Sequence, residues 1–364
     1  MQRRGKISAW QTGILLFVLM FANKVMILPS LLSEKIKMEA FFVPIIMFLI
    51  DFCILILFYF VKKKHPEEKF FDIVKTLFGK TFAVFLYVLF IAFFMAKTTL
   101  LYNVSYIFLR NLIYRDASSL MFLFCVLPVV NFLAFSGLRP LGRTVQIFFP
   151  IIFLIVTFCI VIGSFGINSN MLLFQTPFSS VLSQSFRHIG SFGDTLFLFL
   201  IMDKISVKKG QWKVVFSLEI LSMLFVVGIN IVFIFSYTYT SFLHPFAIFE
   251  LMSFVKEYEG LGRIDIISVV LIIIFIYFHL SIYLKGVLCA AESAVTKFKA
   301  NNVIIIYDVL ISILSIFVFF NLGRTIIFGE QILPYFCFIP LIMLTVSCVI
   351  VLAKKRRKNE KISS

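Results

Sequence analysis

The sequence predicts an all-α polytopic membrane protein with about ten transmembrane helices, and three observations predict it. Hydrophobic residues fill 61% of the 364 positions and charged residues only 14%, whereas a soluble domain is about a quarter charged and roughly half apolar. Apolar runs of about 20 residues, the length that crosses a bilayer, recur from end to end. The 34 Lys and Arg outnumber the 18 Asp and Glu, giving a net charge of +16, and they gather at the ends of those runs. Mean hydropathy is +1.04. Soluble globular and disordered classes are excluded, and a single membrane domain over 1–364 is expected, with 1–6 and 354–364 as basic tails.

The spans fall at residues 7–33, 40–61, 81–109, 118–137, 144–166, 186–203, 213–239, 264–293, 302–321 and 332–353. The basic start and apolar core of the first resemble a signal peptide. Its run exceeds the usual apolar length, however, and Asn23-Lys24 interrupts it, so it is read as span one. With the N-terminus cytoplasmic, twenty-three Lys and Arg lie inside and eight outside, which also places the C-terminus inside. Nucleic-acid binding needs basic residues clustered on a soluble surface, and no such surface is predicted. The six cysteines lie in apolar stretches without CxxC spacing, so neither a disulfide framework nor a metal site is indicated. Residues 62–80 read as a solvated inner loop. Residues 240–263 mix apolar and acidic positions at helical spacing and suit a short helix across the outer mouth.

Two spans are interrupted. Span one carries Ala22-Asn23-Lys24 at its middle with Pro29 beyond, and span six carries Ile189-Gly190-Ser191-Phe192-Gly193-Asp194. Breaks at equivalent positions of two five-span halves mark a transporter-type site, where unwound backbone meets a ligand at the membrane midplane. Close helix packing at Gly190 and Gly193 is the alternative. Lys24, Asp51, Lys97 and Asp194 fall inside spans one, two, three and six. A lone charge there costs on the order of 3 kcal/mol, so a mutually neutralising network is expected, serving either a ligand or a structural lock. His279 reads as a packing histidine, and Lys285, Glu292, Asp308 and Glu219 as paired or snorkelling groups. No HExxH, Walker A or GxSxG pattern occurs, so neither an enzyme nor a cofactor is expected.

The opening ISAWQTGILLF with Pro29, the segment FSGLRPLGRTVQIFFPI at 135–151, the carboxylate after Gly193 and HPFAIFELMSFVKEYEGLGRIDIIS at 244–268 resemble the B subunits of spore germinant receptors. These permeases belong to the amino acid-polyamine-organocation superfamily. The resemblance implies the leucine-transporter type of fold, A and C partner subunits, the spore inner membrane and a small nutrient such as an amino acid as ligand. On that resemblance, main-chain ligand contacts are expected at Ala22, Gly190 and Gly193, aromatic walls at Phe192 and Tyr102, and charge complement at Lys24, Lys97 and Asp194, with Asn23 beside them; in a chain that is 17% aromatic, Tyr102 and Phe192 equally suit ordinary core positions. Asn23-Lys24 departs from the family's small, Gly-containing break, and Asp194 stands where the family often has Glu. Lys24 either binds an anionic group or fills a cation position against Asp194 or Asp51.

Overall fold

The computed structural model describes residues 5–112, 118–167, 176–208, 210–253, 265–294, 300–317 and 322–354. Span one is three pieces: α1 (Ala9–Leu19), α2 (Ala22–Met26) and α3 (Leu28–Ile36). Ser8 caps α1 and accepts from the Gln11 N–H, while the Gln11 side chain bonds back to Ser8, the reciprocal arrangement that satisfies two orphan donors. Pro29, near the start of α3, has no N–H to give the carbonyl four residues back, which forces the second break. A 3₁₀ turn leads into α4 (Phe42–Lys64), the second span.

The loop after α4 differs from the solvated connector expected. It contains the amphipathic helix α5 (Phe70–Phe78), whose Phe70, Phe71, Ile73 and Val74 are buried. Lys62 is buried as well and donates to the carbonyls of Met202, at 2.6 Å, and Pro66. Lys64 donates to the carbonyls of Val351 and Leu352 at 2.7 and 3.0 Å, the orphan acceptors at a helix C-terminus. These lysines stitch elements together rather than face solvent.

Then follow α6 (Lys80–Leu112), α7 (Ser119–Phe135) and α8 (Leu138–Ser164). Span six begins earlier than the sequence suggests, with α9 (Phe178–Arg187), whose Ser and Gln residues hid it from a hydropathy reading. It unwinds over 188–195 and resumes as α10 (Leu196–Leu200). The chain continues through α11 (Trp212–Tyr237), the short α12 (Ala247–Ser253), α13 (Asp265–Ala294), α14 (Ala300–Phe317), α15 (Leu322–Ile327), a π-helical turn (Phe328–Ile332) and α16 (Leu333–Ala353). The short helix expected in 240–263 is α12; residues 254–263 of that segment lie outside the described residues.

Among the described residues, six helical runs are long and apolar enough to cross a membrane, and shorter apolar helices occur at Ala9–Leu19, Ser119–Phe135 and Ala300–Ser315. The broken spans are central: from Ala9 to Ser30, leaving aside the side chains of Ala22 and Asn23, every residue except Trp10 is buried. α1 packs along α11 and α8, while α6 packs along α13 and α16. The exposed large side chains of α7, α8, α14 and α16, among them Phe124, Phe132, Leu154, Ile305 and Ile342, form the apolar exterior that lipid requires. On the N-terminal face, two backbone bonds of 2.9 Å tie Ile7 to Lys204 and Ser206, joining the start of span one to the segment that leaves span six. Lys6 pairs there with Glu67 and holds that carboxyl below its ordinary range.

Candidate functional site

The two breaks meet beside α6, and charged side chains converge where they meet. Lys24 extends from α2, a single helical turn isolated on both sides. Its Nζ donates to Asp194 Oδ2 at 2.6 Å and lies 3.5 Å from the Leu19 carbonyl at the end of α1, where the helix dipole favours a cation. Lys97 reaches from the middle of α6 to Asp194 Oδ1 at 2.5 Å and to the unwound carbonyls of Phe192 and Ser191 at 2.9 and 3.3 Å. The Tyr283 hydroxyl of α13 donates to the same Oδ1 at 2.7 Å. One carboxylate is thereby clamped by donors from spans one, three and eight.

Aromatic rings surround both ammonium groups. Lys24 Nζ lies 4.8 Å from the Phe192 ring centroid and 5.7 Å from that of Phe48. Lys97 Nζ lies 5.2 Å from Phe93 and 5.5 Å from Tyr283, within the range where a ring face attracts a desolvated cation.

Asp51 completes the charge balance without a direct lysine contact. It accepts the Gly193 N–H at 2.9 and 3.1 Å and the Thr195 hydroxyl at 3.2 Å. Gly193 directs that N–H only because it adopts φ +80°, a left-handed conformation. Its main chain therefore serves Asp51. Gly190 serves packing: a Cβ there would lie 2.9 Å from the Leu333 backbone carbon and 2.6 Å from Leu333 Cγ.

The structure thus brings Lys24, Asp51, Lys97, Phe192, Gly193 and Asp194 together. Ala22 and Asn23 share α2 with Lys24, and their side chains lie outside the described residues. Tyr102 does not join them. Five residues beyond Lys97, it is turned about 140° around the helix; its hydroxyl donates to the Ser119 carbonyl at 3.2 Å and its ring packs on Phe122. Tyr102→Phe is expected to cost about 1 kcal/mol of stability, the net worth of one hydrogen bond, and to leave the clamp intact. Thermal denaturation in detergent measures this.

Two residues at the centre escaped sequence reading. Tyr283 and Thr195 carried no signal among many hydroxyl and aromatic residues. His279 lies one turn from Tyr283 and packs edge-on against it, with centroids 4.5 Å apart. Both His279 nitrogens, and both carboxyl oxygens of Glu219, are buried without a hydrogen-bond partner among the described residues. His279 is thus not the satisfied packing group expected, nor Glu219 the paired or snorkelling one. Lys24 and Asp194 lie within electrostatic reach of both. Asp308 does pair, accepting from Asn131 at 2.7 Å, and Glu292 lies 3.7 Å from Lys204.

The two faces carry recesses of unequal size. The N-terminal face holds a recess of about 680 Å³ lined by Lys6, Glu67, Gly137, Asp203, Lys204 and Lys285. Toward the other face, a crevice beside Ser191 encloses only about 20 Å³, room for a single water.

Comparison with known proteins accords with this architecture. The profile of the family described as spore germination protein matches residues 6–322. No curated protein matches. A Na+-coupled sialic acid symporter in a substrate-bound outward-open state is similar in structure, with a TM-score of 0.66 and 12% identity, covering 96% of this chain and 90% of that one. Mhp1, a nucleobase-cation-symport-1 family transporter in a closed conformation with bromovinylhydantoin bound, gives a TM-score of 0.63 and 12% identity over 96% of this chain and 78% of its own. At such identity the likeness establishes the fold, which is the leucine-transporter type. The chain belongs to the spore germination protein family and is a transporter-like permease of the membrane.

Proposed function

We propose that the chain is the B subunit of a spore germinant receptor. In this reading it lies in the spore inner membrane with both termini cytoplasmic, senses a small nutrient such as an amino acid, and acts with A and C partner subunits. One observation carries the reading. Asp194, at the break of span six, is held by Lys24 from the break of span one and by Lys97 from span three. A ligand that takes over any of these contacts must rearrange both interrupted helices together. Ligands drive such changes only by binding one arrangement better than the other, and opening the clamp provides that difference. The Lys97 ammonium also occupies backbone carbonyls of Ser191 and Phe192 that a ligand amine would otherwise meet.

Spores carrying Asp194→Asn test this reading. The expected result is loss of the nutrient response while the A and C subunits still co-purify with the variant. Normal germination by this variant, or purification of the wild-type chain free of both subunits, would contradict it. Glu219 and His279, without hydrogen-bond partners among the described residues, favour a second reading, an autonomous proton-coupled amino acid transporter, since buried ionisable groups suit proton transfer. Uptake by the chain alone in proteoliposomes separates the two.

A further inference from the structure

Outward of the clamp, in the orientation proposed above, the crevice beside Ser191 is lined by two kinds of wall. Ile27, Leu28, Leu31, Leu100 and Val104 of spans one and three are apolar; His188 and Ser191 of span six, with Thr325 and Glu330 just ahead of span ten, are polar. His188 is 2% exposed, and its Nε2 has no hydrogen-bond partner. It faces Glu330 Oε1 at 3.9 Å, too far for a hydrogen bond. The Glu330 side chain is 12% exposed, and its other charged neighbour, Arg187 Nη1, is also 3.9 Å away. Lys35 and Glu34 are the remaining charges within electrostatic reach of Glu330. An imidazole nitrogen and a carboxylate thus converge on one crevice, neither with a donor at bonding distance among the described residues.

The geometry points to a binding subsite for a primary ammonium group, with His188 Nε2 and Glu330 as acceptors and the apolar wall holding the short aliphatic body attached to it. An ammonium carries three donors, which suits two acceptors 3.9 Å apart better than a single N–H would. Burying a carboxylate beside an unbonded imidazole is costly, and one such cation offsets both penalties. The enclosed volume of about 20 Å³ is too small for the aliphatic body, so binding must widen the crevice. Glu330 lies on the π-helical turn between α15 and α16, a widened hydrogen-bond register that often marks functional sites. That turn is where the wall can yield.

This subsite rests on the reading of the chain as a small-molecule binder. Its test uses the full-length purified chain in detergent, with n-propylammonium chloride, ammonium chloride and propan-1-ol as probes. Propylammonium is expected to raise the melting temperature saturably, while propanol and ammonium chloride have no comparable effect. Glu330→Gln should raise the half-effective concentration at least tenfold, and Val104→Phe, which fills the apolar wall without touching the acceptors, should do likewise. An unchanged half-effective concentration in Glu330→Gln, or equal stabilisation by propanol, overturns the subsite. Equal stabilisation by ammonium chloride overturns the organic amine in favour of a bare cation. Loss of the response in Asp194→Asn but not in Glu330→Gln overturns the subsite and leaves recognition at the clamp standing.

Discussion

Asp194→Asn is expected to destabilise the folded chain by about 3–5 kcal/mol, the range for a buried pair that loses one partner. The side chain is fully buried and accepts from two lysines and Tyr283. An amide cannot balance two ammonium groups, and Asp51 supplies only one negative charge. Charge arithmetic gives the control. In Asp194→Asn with Lys97→Met, the remaining Lys24 and Asp51 balance, so the double variant should recover part of the loss despite carrying more substitutions. Thermal denaturation of the three proteins in one detergent measures both effects. A double variant less stable than the single would contradict the charge account.

Gly193→Ala is expected to cost about 3 kcal/mol through three effects at one position. The left-handed φ of +80° costs a residue with a Cβ roughly 1–2 kcal/mol. That Cβ would lie 3.0 Å from Cys337 Sγ and 3.3 Å from Phe93 Cζ, so span three or ten must give way. Any shift of the Gly193 N–H weakens both of its contacts with Asp51. Gly79→Ala isolates the first effect, because Gly79 has φ +91° with nothing within 4 Å of the added carbon. A cost at Gly193 no larger than at Gly79 would mean that neither packing nor the Asp51 bond is important there.

Much of this architecture is legible in the sequence because a bilayer enforces its own grammar. Apolar runs mark spans, and charges inside them are expensive enough to signal partners, which is why Lys24, Asp51, Lys97 and Asp194 stood out. Pairings were less legible. Which lysine meets Asp194 depends on helix rotation and on backbone bends at the breaks, and Lys24 could equally have met Asp51. Tyr102 shares α6 with Lys97 but not its face, so its ring packs on Phe122 rather than at the clamp. Tyr283, from a span distant in sequence, takes the clamping role. The half-helix α9 was missed because FSSVLSQSFR is polar enough to resemble a loop. Lys62 was misread because a lysine run beside glutamates resembles surface, although tertiary carbonyls capture its ammonium. His188 and Glu330 gave no signal, since only folding brings residues 142 positions apart to one crevice.

Recognition of a small molecule where spans one and six break is the central claim, and a ligand-dependent thermal shift tests it most directly. The purified wild-type chain, Lys24→Ala and Asp194→Asn would be screened against amino acids, sugars and nucleosides, each protein read against its own ligand-free baseline. Binding to the folded state alone stabilises it by about 2.7 kcal/mol at one hundred times the dissociation constant. At least one compound is expected to stabilise the wild type, and this increment is expected to disappear in both variants. An increment of equal size in all three proteins would place recognition away from the clamp and contradict it.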